Sequence, residues 1–189
     1  MRLYLIRHAD AGDPERFEGP DEERPLSDVG FAQAQALAAA LREHGIVFDA
    51  VVTSPLLRAR QTAQELMPPS GPDAPSAGPA ECEFLAPGGR RRKLARYLEE
   101  LDKESVALVG HRPDIDELAG WLIGYRKAGI GLAKGAAALI DCDGAPGKGS
   151  GTLRWLLTPE WVGAAEHPAE EGEMNGGTRK RRPAAGKRR

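Results

Sequence analysis

The sequence contains only two cysteines, Cys82 and Cys142, and they lie far apart. They indicate neither a disulfide framework nor a zinc site held by cysteines. Aromatic residues make up only 5% of the chain, and no window reaches the roughly 18 uninterrupted apolar residues of a membrane-spanning helix. A strand-like segment begins at Arg2, which leaves no room for a cleavable signal peptide. These absences predict a soluble, reduced protein in the cytoplasm.

Charge is divided unevenly along the chain. The net charge is −2, but residues 178–189 carry seven positive charges and no acidic residue. Residues 166–177 carry four acidic residues and no lysine or arginine, which leaves a net charge of −5 for residues 1–165. Because blocks of like charge are commonly disordered, residues 161–189 are expected to form a charged, disordered tail. Such a tail is also suited to bind nucleic acid, polyphosphate or an acidic partner.

Strand-like and helix-like segments alternate in the first 160 residues. Apolar, β-branched runs predict strands at residues 2–7, 49–53, 105–110, 136–141 and 153–158. Apolar residues at helical spacing predict helices at about residues 28–44, 55–67, 90–101 and 113–123. Residues 68–79 contain five prolines and are expected to form a long surface loop that could lie over the site. The alternation predicts one α/β domain over residues 1–160, with helices on both faces of the sheet.

Two of the four histidines follow strand-like segments. His8 comes directly after residues 2–7 and next to Arg7, and His111 follows residues 105–110. In an open α/β sheet, residues just beyond the carboxyl ends of adjacent strands face the crevice in which such folds bind ligands. Two histidines and an arginine at that place indicate a site for phosphate chemistry. The other two histidines, His44 and His167, are given no catalytic role.

A third motif supplies another arginine. Its sequence is Thr53-Ser54-Pro55-Leu56-Leu57-Arg58-Ala59-Arg60-Gln61-Thr62, and its predicted helix begins where the second strand ends. The amino end of a helix favours an anion. Arg58 lies on the first turn and presents a planar fork suited to a phosphoryl group, whereas Arg60 is expected to be a surface charge.

Together these residues resemble the histidine phosphatase superfamily, in its phosphoglycerate-mutase-like branch. The resemblance is carried by Leu5-Ile6-Arg7-His8, by Ser54–Thr62 and by Gly110-His111. Arg24-Pro25-Leu26-Ser27-Asp28-Val29-Gly30 with Gln33-Ala34 is similar to the Leu-Ser/Thr-x-x-Gly-x-x-Gln-Ala helix start of that family. The resemblance covers about residues 1–158, and with its short length the chain looks most like the SixA-type phosphohistidine phosphatases. The resemblance implies a phosphoglycerate-mutase-like, three-layer α/β/α sandwich with a mostly parallel central sheet.

The same resemblance implies a mechanism without a cofactor or a metal. His8 would be the nucleophile, and a phosphohistidine intermediate would form on it and then be hydrolysed by water. Arg7, Arg58 and His111 would surround the phosphoryl oxygens and neutralise their charge. The surrounding positive charge should allow His111 to be protonated only when phosphate is bound. Since Ala9 stands where the family usually has glycine, the position is not expected to need a glycine conformation.

The general acid for an alkoxide leaving group is less evident. Glu83 is the first candidate, followed by Glu81 and Asp10. The asparagine with which mutase-like members follow the histidine is missing from residues 11–15. An imidazole leaving group depends less on an acid than an alkoxide does. The sequence therefore favours a phosphorylated protein histidine as substrate over a small phosphoester.

Two alternatives remain open from the sequence. One is a small-molecule phosphomonoesterase, and the other is a phosphate- or polyanion-binding adaptor recruited to an acidic partner through the basic residues 178–189. The run Arg90-Arg91-Arg92-Lys93 is interpreted first as a solvated helix start and second as a patch that steers an anionic substrate.

Overall fold

The computed structural model describes residues 1–68, 78–125 and 130–163. Within these ranges the chain forms six strands and four α-helices. The strands are β1 (Arg2–Arg7), β2 (Ala50–Thr53), β3 (Ala80–Glu81), β4 (Ser105–Gly110), β5 (Ala137–Cys142) and β6 (Gly151–Leu157). The helices are α1 (Asp28–Glu43), α2 (Leu57–Leu66), α3 (Arg91–Leu101) and α4 (Asp114–Leu122). Short 3-10 turns occur at Pro14–Arg16, Asp21–Glu23, Glu83–Leu85 and Pro159–Val162.

The six strands form one sheet in the order β3-β2-β4-β1-β5-β6. The first four strands of that order run parallel, and β5 runs antiparallel to both β1 and β6. In the pairing of β1 with β4, Arg7 lies opposite Gly110. The residues that follow these two strands, His8 and His111, therefore emerge side by side at the carboxyl edge of the sheet.

Helices cover both faces of the sheet, as the alternating pattern predicts. Leu3 and Leu5 of β1 pack on one face, in a core that includes Leu94 of α3 and Ile115 of α4. The intervening Tyr4 and Ile6 pack on the opposite face with residues of α1 and α2. The period of two along a buried strand thus divides the apolar residues between two cores.

The start of α1 is determined by its capping residue. Ser27 has extended backbone angles, and its hydroxyl accepts a hydrogen bond from the Gly30 N–H at 3.1 Å. This bond satisfies one of the amide groups that have no partner within the helix. The helix then ends at Glu43, close to the predicted end, and Gly45 follows in a left-handed conformation with φ of 68°.

Several predicted boundaries are wrong by one or two residues. α2 begins at Leu57 rather than at Pro55, because Leu56 has extended backbone angles and is the N-cap of the helix. The short strand β3, which pairs with β2, was not predicted. Two residues are too short a segment to show an alternating pattern. Of the predicted loop, residues 69–77 lie outside the described residues.

The described fold continues slightly beyond residue 160. Pro159 is buried, and the 3-10 turn that it begins packs near α1. Residues 164–189 lie outside the described part of the chain, so the charged tail stays a prediction. Among the described residues, no helix combines the length and the apolar character needed to cross a bilayer.

Candidate active site

His8 lies at the carboxyl edge of the sheet and faces His111. Its backbone N–H donates to the Gly110 carbonyl at 3.0 Å, which continues the pairing of β1 with β4. The two imidazole rings are 4.9 Å apart between centroids and are inclined by 53°. Both side chains are almost completely buried. The structure therefore brings together the two histidines that the sequence singles out.

The ring of His8 is held through one nitrogen only. Nδ1 lies 2.7 Å from the Ala9 carbonyl oxygen, and because a carbonyl only accepts, Nδ1 must carry the proton. Nε2 makes no hydrogen bond to any described residue, so its lone pair is available. The Ala9 N–H donates to Thr62 Oγ1 at 3.1 Å, which fixes the peptide that holds the ring. Ala9 is not among the residues with positive φ, as expected for a position that does not need glycine.

Asp10 forms a buried network that anchors the segment after His8. Its carboxylate accepts hydrogen bonds from Ser27 Oγ at 2.6 Å, from Lys134 Nζ at 2.9 Å and from the Gly12 N–H at 3.0 Å. Its backbone N–H donates to Gln33 Oε1 at 3.0 Å. Several positions of the helix-start motif in the sequence thus contact Asp10.

Gly30 of that motif is required by a close approach. A Cβ atom at this position would lie 1.9 Å from the Asp10 carbonyl oxygen, inside van der Waals contact. Any side chain would therefore push α1 away from the segment that carries His8. The contact explains why a glycine stands between Ser27 and Gln33 in this helix start.

His111 is oriented by Ser54, a completely buried residue. Its Nε2 lies 2.8 Å from Ser54 Oγ, and that oxygen already accepts from the Leu56 N–H at 3.3 Å. No described residue other than His111 accepts the Ser54 hydroxyl proton, and burying that proton without a partner would be costly. Ser54 therefore donates to Nε2, and the proton of the neutral His111 ring is on Nδ1. That N–H is buried and has no partner among the described residues.

Arg58 is held by the 3-10 turn Asp21–Glu23. Its Nη1 donates to the Asp21 carbonyl at 2.7 Å, and its Nη2 donates to the Asp21 carboxylate at 2.9 Å. Arg24 donates to the other carboxylate oxygen of Asp21 at 2.8 Å. The Nε–H of Arg58 is buried and has no partner in the described part of the chain. Asp21 thus uses the outer nitrogens and leaves Nε available to a ligand.

Arg7 completes the group of cations around His8. Its Nη1 donates to the Leu132 carbonyl at 3.1 Å. The same loop contacts the carboxyl edge of the sheet again, because the Gly135 N–H donates to the carbonyls of both Arg7 and His8 at 3.2 Å. The segment between α4 and β5, to which the sequence assigns no role, therefore supports the position of His8.

Comparison with known proteins is consistent with this geometry. The model of the histidine phosphatase superfamily (branch 1) matches residues 3–83, a range that contains His8 and Arg58. An uncharacterized protein of Picosynechococcus sp. is 34% identical over 176 residues, which span 86% of this chain and 99% of that protein. The chain belongs to the histidine phosphatase superfamily. Phosphatase activity is the general function that this membership supports.

The similarity includes members of the superfamily with assigned names. Phosphohistidine phosphatase SixA of Escherichia coli is 27% identical over 167 residues, which cover 84% of this chain and 94% of that protein. A solved structure of the protein histidine phosphatase SixA complexed with tungstate has a TM-score of 0.70 and 26% identity, covering 84% of this chain and 97% of the other. The predicted fold and the predicted family are thereby confirmed.

The environment of this histidine phosphatase site keeps both imidazoles neutral. Burial, together with the charges that His111, Arg58 and Arg7 can carry, lowers the pKa of His8 to about 3, although the hydrogen bond to the Ala9 carbonyl opposes this effect. Burial and the charge of Arg58 lower the pKa of His111 to about 4, although Asp21 opposes this effect. At neutral pH His8 thus has an unprotonated nitrogen, and His111 is a neutral donor in the absence of a ligand.

Lowered histidine pKa values make the fold sensitive to acid. In the unfolded chain both rings take up a proton near pH 6.5, whereas in the folded protein they do so only near pH 3 and pH 4. Within that window the unfolded state binds more protons, so the free energy of unfolding falls as the pH falls from 6.5 toward 4. Each histidine contributes a slope of about 1 kcal/mol per pH unit.

Urea unfolding between pH 7 and pH 4.5 tests this dependence. The double variant His8→Asn/His111→Asn is expected to show a clearly shallower decrease than the parent, since its site has no imidazole to protonate. The carboxylates titrate equally in both proteins, so their contribution to the pH dependence of the free energy of unfolding cancels in the comparison. Equal slopes would mean that the two histidines are not held neutral by the fold.

Removing the Ser54 hydroxyl is expected to remove the constraint that holds His111 in one tautomer. In Ser54→Ala, Nε2 loses its donor, so the Nδ1–H form is no longer enforced and kcat/KM should fall at least about tenfold. The tautomer can be read directly from histidine ¹⁵N spectra, which are simple because the chain has only four histidines. Ser105→Ala is the matched control, because Ser105 is also buried but lies at the opposite end of β4. Retention of the Nδ1–H form in Ser54→Ala would contradict the assignment.

The three candidate acids are placed differently by the structure. Burial opposes ionisation of Asp10, but the hydrogen bonds from Ser27 and Lys134 outweigh it and lower the pKa of Asp10 to about 2. Asp10 is therefore held as an ionised anchor, a state that does not suit a proton donor. Glu81 is paired with Arg60 at 3.3 Å on the surface.

Glu83 is exposed and begins the 3-10 turn after β3. The preceding residue donates through its N–H to the Thr53 carbonyl at 2.8 Å, which places Glu83 at the same edge of the sheet as His8. Its role as an acid stays a prediction. Of the candidates considered, it is the one that no described hydrogen bond or ion pair holds elsewhere.

Sequence reasoning missed four residues that support the site: Ser54, Asp21, Arg24 and Lys134. Ser54 and Arg24 were quoted within motifs but received no role, although each directly precedes a proline at the border of a predicted element. Asp21 and Lys134 lie in irregular segments that have no periodic pattern. Their contacts depend on chain folding over more than 30 residues, and no local signal indicates them.

Proposed function

We propose that this protein is a cofactor-independent phosphatase that transfers a phosphoryl group from phosphohistidine on a protein to His8 and then to water. One arrangement carries the proposal. His8 Nε2 makes no hydrogen bond to a described residue, and two buried donors, Arg58 Nε and His111 Nδ1, also have no partners in the described part of the chain. A buried donor without a partner costs free energy unless a ligand accepts its hydrogen bond. A phosphoryl group supplies acceptor oxygens for both donors.

The first step is an in-line displacement at phosphorus. The lone pair of His8 Nε2 forms a P–N bond while the P–N bond of the substrate histidine breaks. The substrate imidazole departs as a neutral ring when its other nitrogen carries a proton, so the enzyme does not need to protonate it. Arg7, Arg58 and His111 donate to the phosphoryl oxygens and stabilise the charge that they carry in the transition state.

The second step releases inorganic phosphate. Water attacks the phosphorus, the P–N bond to His8 breaks, and the electron pair returns to Nε2. The proton lost by water remains with the phosphate. Throughout both steps the Nδ1–H of His8 stays bonded to the Ala9 carbonyl, which holds the ring in line with the substrate.

Phosphohistidine and an alkyl phosphoester differ in the leaving group, and therefore in the need for a general acid. An alkoxide requires a general acid, which contributes typically 10²- to 10⁴-fold, and Asp10 and Glu81 are both engaged by cations. Similarity to a protein named phosphohistidine phosphatase over 84% of this chain supports the same choice. Both observations favour a substrate whose leaving group is an imidazole.

A comparison of substrates tests the proposal. We expect kcat/KM for a phosphohistidine peptide to exceed that for sugar and nucleotide phosphomonoesters by about 100-fold or more, the contribution of the acid that alkyl esters would need. Comparable rates on the alkyl esters would contradict the phosphohistidine assignment.

A small-molecule phosphomonoesterase is the second candidate, and the exposed Glu83 at the catalytic edge is the observation that favours it. In that case Glu83→Gln would slow alkyl ester hydrolysis and leave phosphohistidine hydrolysis unchanged. The adaptor hypothesis depends on residues 178–189, which the structure does not describe. Deleting them and measuring affinity for polyanions over a series of salt concentrations tests that hypothesis.

A further inference from the structure

A large open cleft adjoins the phosphate site on the α3 and α4 side of the sheet. Its volume is about 1150 Å³, and its lining includes Arg112 and Gly131. Arg112 follows His111 directly, and Gly131 precedes Leu132, whose carbonyl holds Arg7. The lining of the cleft therefore includes the neighbour of His111 and the neighbour of the residue that holds Arg7. We call it the basic cleft.

Cations dominate the lining of the basic cleft. Six of its residues are basic and three are acidic. The basic residues are Arg90, Arg91, Arg92, Lys93, Arg112 and Lys148. The run of four cations that the sequence presents as a solvated helix start is thus one wall of a concave surface next to the site.

The acidic residues of the cleft are already engaged by the fold. Glu117 pairs with Arg91 at 2.9 Å, and Asp116 pairs with Arg112 at 3.0 Å. Asp114 accepts from the Gly88 N–H at 3.0 Å. In contrast, the side chains of Arg90, Arg92 and Lys148 have no hydrogen bond or ion pair with any described residue. The excess positive charge of the cleft is therefore available to a partner.

Helix stability does not explain the cations of this wall. Arg91, Arg92 and Lys93 form the first turn of α3, which contains no acidic residue and has no side-chain cap. Positive charge at the amino end of a helix opposes the helix dipole and costs stability. An anionic partner would reverse that effect, whereas solvent alone would not.

The opposite side of the site has the opposite charge. Residues 13–23 contain six acidic residues and one arginine, and Asp21 of this segment contacts Arg58 of α2. The entrance is thus acidic on the α1 and α2 side and basic on the α3 and α4 side. A partner that meets both sides must itself be polarised, as the surface of a folded protein can be.

We infer that the basic cleft docks an acidic segment of the protein that carries the phosphohistidine, an inference that rests on the proposed function. A polypeptide fits better than a nucleic acid, because a nucleic acid is negatively charged along its whole backbone and would be repelled by the acidic residues 13–23 on the other side of the site, whereas a protein can present an acidic segment to the basic cleft alone. Trp121 and the exposed Tyr125 also line the cleft. Aromatic and arginine side chains are the residues that contribute most often to protein interfaces.

Two phosphohistidine peptides of equal length test the docking, one with four glutamates after the phosphohistidine and one with four glutamines. At low salt we expect the parent to prefer the acidic peptide by about tenfold in kcat/KM, and a high salt concentration should remove this preference. The full-chain variant Arg90→Glu/Arg92→Glu should lose the preference and hydrolyse free phosphohistidine at the parental rate. Both substituted positions are exposed.

Arg96→Glu/Lys103→Glu is the matched control. It changes the net charge by the same amount at exposed positions of α3 and the turn after it, and neither residue lines the basic cleft. This variant should keep the preference for the acidic peptide. Equal kcat/KM for the two peptides in the parent, or an equal loss in the control, would overturn the inference.

Two further measurements distinguish a failure of the docking inference from a failure of the proposed function. The anisotropy of a fluorescent, unphosphorylated acidic peptide reports docking without catalysis, so docking is still tested if no phosphohistidine is hydrolysed. In that event the proposed function fails, and a difference in peptide affinity between the two double variants still supports the basic cleft. An oligonucleotide of twenty thymidines that binds more tightly than the acidic peptide, and loses affinity in Arg90→Glu/Arg92→Glu, would indicate a nucleic acid instead and overturn the inference.

Discussion

Replacing His8 with alanine is expected to lower kcat/KM on every phosphoryl substrate by about four orders of magnitude or more. The substitution removes the nucleophile, and the remaining cations can only bind the phosphoryl group. Nδ1 of His8 is held by the Ala9 carbonyl, and Nε2 is the ring nitrogen that makes no hydrogen bond to a described residue. Release of inorganic phosphate under substrate saturation measures the effect.

A trapping experiment identifies the intermediate. Brief reaction with ³²P-labelled phosphohistidine peptide, followed by denaturation in alkali, should leave label on the parent protein and none on His8→Ala. The label should be lost in acid, because the P–N bond is labile to acid. His44→Ala is the matched control, since His44 is exposed at the end of α1 and should be labelled and active. More than about 1% residual activity in His8→Ala would be incompatible with the proposed nucleophile.

Replacing Arg58 with alanine should have the second largest effect, a loss of about 10²- to 10³-fold in kcat/KM. This is the usual cost of removing one preorganised donor from a developing anion. Arg58→Lys is expected to recover little of the loss, because lysine has no donor at the position of Nε and cannot keep the planar contacts with Asp21. The measurement is a set of kcat and KM values for the phosphohistidine peptide.

Arg60→Ala provides the control on the same helix. Arg60 is paired with Glu81 at 3.3 Å, and about half of each side chain is exposed. Such surface ion pairs contribute little, so activity should change less than about twofold. If both arginine variants lost activity equally, Arg58 would be acting through the stability of α2 and not through contact with the phosphoryl group.

The order of the main elements and the principal site residues were predictable from local patterns. Apolar β-branched runs indicated β1 and β4, and the residues that follow two adjacent parallel strands must emerge at the same edge. The position of His8 beside His111 follows from this rule together with the pairing of β1 and β4. The exact start of α2 was not predictable, because Pro55 suits both a first helical turn and the non-helical segment that is observed before Leu57.

By itself the sequence determined the family, the α/β fold and the placement of His8, Arg7, Arg58 and His111 around one crevice, because these depend on motifs and on short-range periodicity. Only the tertiary structure decided which atoms of those residues are available. Asp21 and Arg58 are 37 positions apart, and Ser54 and His111 are 57 positions apart. Their hydrogen bonds select the Nε of Arg58 and the Nδ1 of His111, and the same folding turns a run of four cations into one wall of the basic cleft. Contacts over such separations depend on how the whole chain packs, and no local pattern of residues encodes them.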